Sequence, residues 1–218
     1  MGSVGRRVAL NRAVIQSVVQ RLAVHLLCAL PLCYWLWQMA LTIMGQRTTL
    51  STDPGQILAD QTGMWALNFL LLSLALTPLH KWFRVRWVTY RRAVGLWAFA
   101  YVVLHVLVFY WLILGGNLAS FGRELTQRPY IVLGALALLL LIPLVVTSTQ
   151  AAMRRLKKNW KKLHQLVYLI AVLAAIHALW QLKGDWGWPM VQMMILVGLL
   201  GIRVYWWLQR RRTGGGAL

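Results

Sequence analysis

Acidic side chains are nearly missing from this sequence. Four Asp and Glu occur in 218 residues against 23 Lys and Arg, and charge of both signs makes up only 12% of the chain. A soluble domain averages roughly 25% charged residues, so this composition excludes an ordinary water-exposed globule. Apolar residues take the vacated share. They make up 60% of the chain, and the mean hydropathy is +0.61. The chain reads as an integral membrane protein, one all-α domain of several spans, with no room for a soluble catalytic domain.

Other absences narrow the chemistry. Cysteine occurs twice, as Cys28 and Cys33 in an apolar run, and no C-x-x-C-H is present. Covalent haem attachment of the c type is therefore not expected, and both cysteines read as small core residues. No Gly-rich phosphate loop follows a strand pattern, so a bound nicotinamide is not expected. No small-residue cleavage site follows the basic N-terminus, and the first apolar run is too long for a signal h-region. That run reads as a retained span. No repeat at a fixed period is detectable.

Positive charge is abundant, with a formal net charge of +19. In a soluble chain that would suggest nucleic acid. Here the basic residues fall between apolar runs, as the positive-inside rule expects, so the partner is the bilayer and no nucleic acid.

Six spans are expected: Leu22–Met44, Met64–Leu79, Ala93–Leu114, Pro129–Val146, a fifth from Trp160 to Trp180, and Pro189–Leu208. Residues 1–21 form a basic leading segment, 22–208 the membrane domain, and 209–218 a basic tail expected to be disordered. Pro31 could kink the first span. The second span is short for a ~20-residue crossing, and Pro78 is expected to end it. Polar or basic loops are expected over Gly45–Gly63, with a turn at Asp53-Pro54-Gly55, and over His80–Arg92, Gly115–Arg128 and Thr147–Lys162. Lys183–Trp188 reads as a short turn. Nineteen basic residues fall on the side of the termini and four (Arg47, Arg123, Arg128, Lys183) on the other. That asymmetry places both termini in the cytoplasm.

The fifth span organises the chain. It carries His164 and His177, 13 residues apart, or about 20 Å along a helix. Ionisable groups at membrane depth mark functional sites, and imidazole is a common axial ligand of haem iron. His105 lies about 18 Å along the third span and His177 about 21 Å along the fifth. These two share a depth and could ligate one haem from opposite sides. His25 and His164 share a level nearer the other end and form a possible inner pair. His80 adjoins a basic loop, where snorkelling to the interface accounts for it. On an ideal helix His164 and His177 stand roughly 140° apart. Either the helix is distorted, or His164 lies at a frayed end, or the two histidines serve different neighbours. Arg91, 14 residues before His105, lies on nearly the same helix face. With Arg92 it sits where haem propionates or a flavin phosphate would need a planar, bidentate cation.

The pieces STDPGQILADQTG, LALTPL, RRAVGLWAFAYVVLH, RPYIVLG, TSTQAAMRRLKKNWKKLHQLVYL and AIHALW, in this order and spacing, resemble the MsrQ (YedZ) family. That family is related to the ferric-reductase-like transmembrane domain of NADPH oxidases. The resemblance runs from about His25 to Leu208. It implies a six-helix bacterial inner-membrane protein that binds b-type haem and FMN. Such a protein passes electrons from a cytoplasmic flavin reductase or the quinone pool to a periplasmic molybdopterin-containing partner, MsrP, which repairs methionine sulfoxide. The family's span-three histidine falls on His105, and its span-five histidines on His164 and His177. The wider ferric-reductase pattern has a further span-three histidine where this sequence has Arg91 and Arg92. The inner site would then use His25 with His164, take one weak ligand, or hold the flavin. A stand-alone membrane reductase of ferric chelates or quinone is the alternative function. A transporter or assembly factor with structural histidines is the non-redox one.

Overall fold

A computed structural model describes residues 3–84, 86–181 and 187–214. Among them are nine α-helices and no strand. Six helical stretches are long and apolar enough to cross a bilayer: Val18–Ile43, Pro54–Phe83, Trp87–Ile113, Pro129–Val146, Lys158–Gln181 and Gly187–Arg212. The chain divides into two compact units, Met1–Thr52 and Asp53–Leu218.

The first unit is one long helix, α1 (Ser3–Ile43), followed by a short 3₁₀ turn, Thr49–Ser51. α1 runs unbroken through the basic segment and the first span, which the sequence reading separates at Leu22. Pro31 lies inside it. Membrane helices tolerate such a proline where neighbouring groups or a local adjustment of the helix satisfy the freed carbonyl.

The second unit opens with α2 (Pro54–Phe83). This helix begins ten residues before the expected Met64 and ends past the expected stop at Pro78. The Asp-Pro-Gly signal is a helix start, not a free turn. Asp53 caps the helix by accepting from the Gln56 backbone N–H at 3.0 Å, and Pro54 occupies the first position, where its missing N–H costs nothing. α2 is also the core of the unit: 56% of its most apolar window is buried, against 22% or less for every other span. It packs against α3 (Arg91–Val108), α8 (Leu166–Gln181) and α9 (Gly187–Gly214). Phe69 meets the ring of buried Tyr101 at 5.2 Å. Ala98, Ala171 and Ala175 are all buried. Small residues at such seams let helix backbones approach closely in lipid.

The continuation of α2 through Pro78 has a local cause. A proline at this position cannot donate to the carbonyl of Leu74, four residues earlier. Arg203 on α9 does so instead, with Nη2 2.6 Å from that oxygen. Its Nη1 donates to Leu199 O at 2.8 Å, and its Nε to Tyr168 Oη at 3.2 Å. Arg203→Leu is therefore expected to leave the Leu74 carbonyl unsatisfied and to destabilise the protein by about 1–3 kcal/mol. Adding Pro78→Ala restores the missing backbone donor and should recover part of that loss. Unfolding in detergent micelles measures both; a double variant no more stable than Arg203→Leu alone would rule out the assignment.

Three expected loops are largely helical. Gly115–Arg128 contains α4 (Leu118–Gln127), capped by Asn117 Oδ1, which accepts from Ala119 N and Ser120 N at 2.9 and 3.2 Å. The chain turns into it through Gly115 and Gly116, both at positive φ. Thr147–Lys162 contains α6 (Gln150–Leu156), capped by Thr149, and α7 (Lys158–His164). His80–Arg92 is divided between the end of α2, a 3₁₀ turn at Arg86–Tyr90, and the start of α3. Asn117 and Thr149 cap α4 and α6, and composition alone hides such short helices. α5 (Pro129–Val146) keeps its expected bounds and packs on α8. α9 includes Arg203 and Arg210–Arg212 within one helix. The expected turn at Lys183–Trp188 falls mainly outside the described residues, as do the last four residues of the tail.

Candidate functional site

His105 and His177 come from α3 and α8, which run in the same direction in an alternating bundle. Their rings lie side by side, nearly perpendicular, with centroids 6.2 Å apart and planes at 81°. A metal–imidazole bond of about 2 Å on each side, plus the half-width of two rings, spans roughly the same 6 Å between centroids. The spacing of the two rings would suit a pair of imidazoles on one iron.

The remaining ring nitrogens are fixed. His105 Nδ1 lies 2.8 Å from the carbonyl oxygen of Ala59, and His177 Nδ1 lies 2.7 Å from that of Tyr130. A carbonyl only accepts, so each Nδ1 carries the hydrogen and each Nε2 keeps its lone pair. Metal-bound histidines are oriented in the same way, by donating the second ring N–H to a carbonyl or carboxylate.

Both carbonyls belong to a repeated device. Four residues after Ala59 comes Gly63, and four after Tyr130 comes Gly134. A Cβ on Gly63 would lie 3.1 Å from His105 Nδ1 and 3.2 Å from Cε1; one on Gly134 would lie 3.0 Å from both atoms of His177. Glycine one helical turn after the accepting carbonyl clears the space that the imidazole occupies. Sequence reasoning missed these four residues. The A-x-x-x-G and Y-x-x-x-G spacings were the available signal, but they are too common to read without the paired histidines. α3 then widens into a π-helical turn at Phe109–Ile113, a departure often found beside functional sites.

Two imidazoles supply two ligands. Among the described residues no group of three His, Cys, Asp or Glu converges to hold a bare metal ion. The donor set fits an iron whose remaining positions are filled by its own macrocycle.

The opposite end of the unit is built differently. A break at Gln165 separates α7 from α8. His164 and His177 also serve different neighbours. His164 stacks on Trp160 with centroids 4.0 Å apart and planes at 30°. Its Nε2 lies 3.3 Å from Thr147 Oγ1, while that hydroxyl donates to Pro143 O at 2.6 Å. The hydroxyl has one hydrogen, so toward His164 it accepts. Trp160 Nε1 donates to Thr147 O at 3.0 Å and ties the group together. Arg91 Nη1 stands 3.5 Å from Thr77 Oγ1, and Tyr168, whose hydroxyl accepts from Arg203 Nε, lies nearby. Arg91, Tyr168 and Arg203 thus line one region of the bundle, and Arg92 is exposed. In the sequence Arg203 is one more basic residue of the C-terminal segment, and nothing there places it beside Arg91. His80 lies near the end of α2. His25 lies on α1 in the first unit; the other four histidines lie in the second.

Residues 62–175 match the family model described as the ferric reductase like transmembrane component. That region includes His105 and His164, and His177 follows just beyond it. Curated relatives match nearly end to end. A Xanthomonas campestris pv. campestris protein is 40% identical over 200 residues, covering 91% of this chain and 92% of the relative. A Xanthomonas euvesicatoria pv. vesicatoria protein is 40% identical over 197 residues, covering 90% of each. Both are named protein-methionine-sulfoxide reductase heme-binding subunit MsrQ. The chain is thus a ferric-reductase-like membrane bundle, and it belongs to the MsrQ family.

Proposed function

We propose that this protein carries electrons across a bacterial inner membrane through b-type haem held by His105 and His177. The electrons pass to a periplasmic, molybdopterin-containing methionine sulfoxide reductase and so support the repair of oxidised periplasmic proteins. The paired imidazoles, each with Nδ1 bound to a backbone carbonyl, carry this reading. The names of the relatives support it.

When bound, haem supplies a one-electron iron couple, and two axial histidines suit it to electron transfer over oxygen chemistry. The protein's residues do the rest. Ala59 and Tyr130 hold the two rings in the ligating tautomer. Gly63 and Gly134 let the rings approach the helices. The basic end is proposed to face the cytoplasm, with both termini, in keeping with the charge asymmetry. Arg91 and Arg92 stand there to meet haem propionates or the phosphate of FMN. The donor is a cytoplasmic flavin reductase or the quinone pool. His164, on its Trp160–Thr147 support, lies at the same end, about 20 Å from His177 along the helix.

A spectrum of the purified protein, oxidised and dithionite-reduced, with a pyridine haemochrome assay, tests the haem reading. A reduced α-band of bis-histidine b haem is expected. A colourless preparation from haem-supplied cells would end the electron-transfer reading. Mixing the reduced protein with its periplasmic partner should then reoxidise it only in the presence of a methionine sulfoxide. Turnover of ferric chelates without any partner would favour the stand-alone reductase instead.

A further inference from the structure

Two cations meet at one turn of α2. Arg203 on α9 donates to Leu74 O, Leu199 O and Tyr168 Oη. Arg91, at the start of α3, reaches Thr77 Oγ1 only at 3.5 Å. Leu74 and Thr77 are three residues apart and so share one face of the helix. The two guanidinium groups lie within electrostatic range of each other and of Tyr168, and both are part-buried.

Each of these partners is neutral. Asp60 comes closest along α2, 14 residues or about 21 Å before Leu74, and it accepts from Gln56 and Gln181. Asp53 caps the start of that helix. Glu124 pairs with Arg128 on α4, beyond the opposite end of α3 from Arg91. Asp185 lies outside the described residues, two positions before α9; Arg203 stands 16 residues, or about 24 Å, into that helix. Among the described residues no carboxylate pairs with either arginine.

Helix repair explains only part of Arg203. The carbonyl freed by Pro78 needs one neutral donor, but a guanidinium brings a full charge beside a second one. A part-buried charge without a counter-charge is costly, and like charges at one site repel. A guanidinium has five N–H donors. Arg203 uses three of them on the chain, and each terminal nitrogen keeps a second hydrogen with no partner among the described residues. Two such planar forks suit an oxyanion. Arg91 lies 14 residues, or about 21 Å, before His105. That is beyond the reach of a propionate from a haem centred on the histidine pair, so the anion belongs to a second group.

We propose that Arg203 and Arg91 together bind the anionic arm, phosphate or carboxylate, of a second cofactor at the end of the bundle away from the histidine pair. This rests on the reading that the basic end receives a flavin phosphate or haem propionates, and it adds to that end a residue from α9.

Pro78→Ala separates the two roles of Arg203, because it restores a backbone donor to Leu74 O. In that background the full-length protein in detergent is titrated with FMN and with riboflavin, which lacks the phosphate. A version that also carries His105→Ala is titrated with haem and with haem dimethyl ester, whose propionates are capped, so that only the basic end is read. One anionic probe should bind about tenfold or more tighter than its uncharged counterpart. A preference for FMN identifies a phosphate site, and a preference for haem over its ester a carboxylate site. Arg203→Gln and Arg91→Gln should each cut that preference to about twofold or less and leave the affinity for the uncharged probe unchanged. Arg211→Gln removes the same charge from the same helix, where Arg211 stacks on Trp207 at 3.9 Å, and should keep the preference. If Arg91→Gln loses the preference and Arg203→Gln keeps it, the basic end still receives the anion but Arg203 only repairs the helix, and the proposal falls. Loss of the uncharged probe in Arg203→Gln would likewise mark a structural role. Equal losses in Arg203→Gln and Arg211→Gln would reduce the effect to bulk charge and overturn the site. No preference within either pair of probes would remove the anionic cofactor from the basic end, and with it the reading on which the proposal rests.

Discussion

His177→Ala and His105→Ala are each expected to empty the site between α3 and α8. Losing a hydrogen-bond partner of a metal ligand commonly costs about 10–100-fold in affinity, and losing the ligand itself should cost more. The bound haem that reports on this pair should therefore fall below detection in a pyridine haemochrome assay, in either variant. The effect should be the same from both sides, because the two rings stand 6.2 Å apart and no third ligand converges on them among the described residues. His80→Ala is the matched control. His80 lies on the last turns of α2, away from the pair, and its haem content should equal that of wild type. His164→Ala separates the two ends of the bundle. It removes the ring stacked on Trp160 and should leave the His105–His177 signal in place. A His105→Ala protein with the full wild-type spectrum would show that the ligand assignment is wrong.

The closeness of His105 and His177 is legible in the sequence because equal depth needs only rise per residue and chain direction. Helix-to-helix distance was not required: two spans running the same way put residues of equal offset at equal height. Pro129–Val146 was legible to the residue for a similar reason, with a proline at its first position and an uninterrupted apolar run. The boundaries of α2 were not legible. Asp53-Pro54-Gly55 has the composition of a turn and also the cap and first position of a helix, and the tripeptide alone does not decide between them. Pro78 looked like a terminus because its compensating donor, Arg203, lies 125 residues later on α9. α4 and α6 were hidden because their short polar sequences owe their helicity to Asn117 and Thr149. The 140° offset between His164 and His177 left three explanations open. The structure contains two of them, a break at Gln165 and separate neighbours for the two rings. The carbonyl partners Ala59 and Tyr130 had no chemical signature at all, since backbone oxygen is present in every residue.

The glycine positions lead to the second large effect. Gly134→Ala should disturb haem binding although it removes no ligand and no hydrogen-bonding atom. Its new Cβ would stand 3.0 Å from two ring atoms of His177, closer than carbon and nitrogen pack comfortably. The ring can yield only by leaving Tyr130 O, whose hydrogen bond sets its tautomer, or by moving toward His105. Either movement misplaces Nε2, so a loss within the roughly 10–100-fold range for support of a metal ligand is expected. Gly63→Ala, at 3.1 and 3.2 Å from His105, should act in the same direction and more weakly. Gly95→Ala and Gly198→Ala provide the contrast, because a Cβ at either position meets nothing within 4 Å. Both lie inside helices, where replacing glycine by alanine stabilises by about 0.5–1 kcal/mol. Haem content and midpoint potential, measured beside melting temperature, distinguish the two classes. Gly134→Ala should lose haem or shift its potential without a matching loss of apoprotein stability, whereas Gly95→Ala should retain both. If Gly134→Ala binds haem as wild type does, at the same potential, then the ring is not held against this helix, and the Tyr130 carbonyl cannot be what fixes the ligating nitrogen.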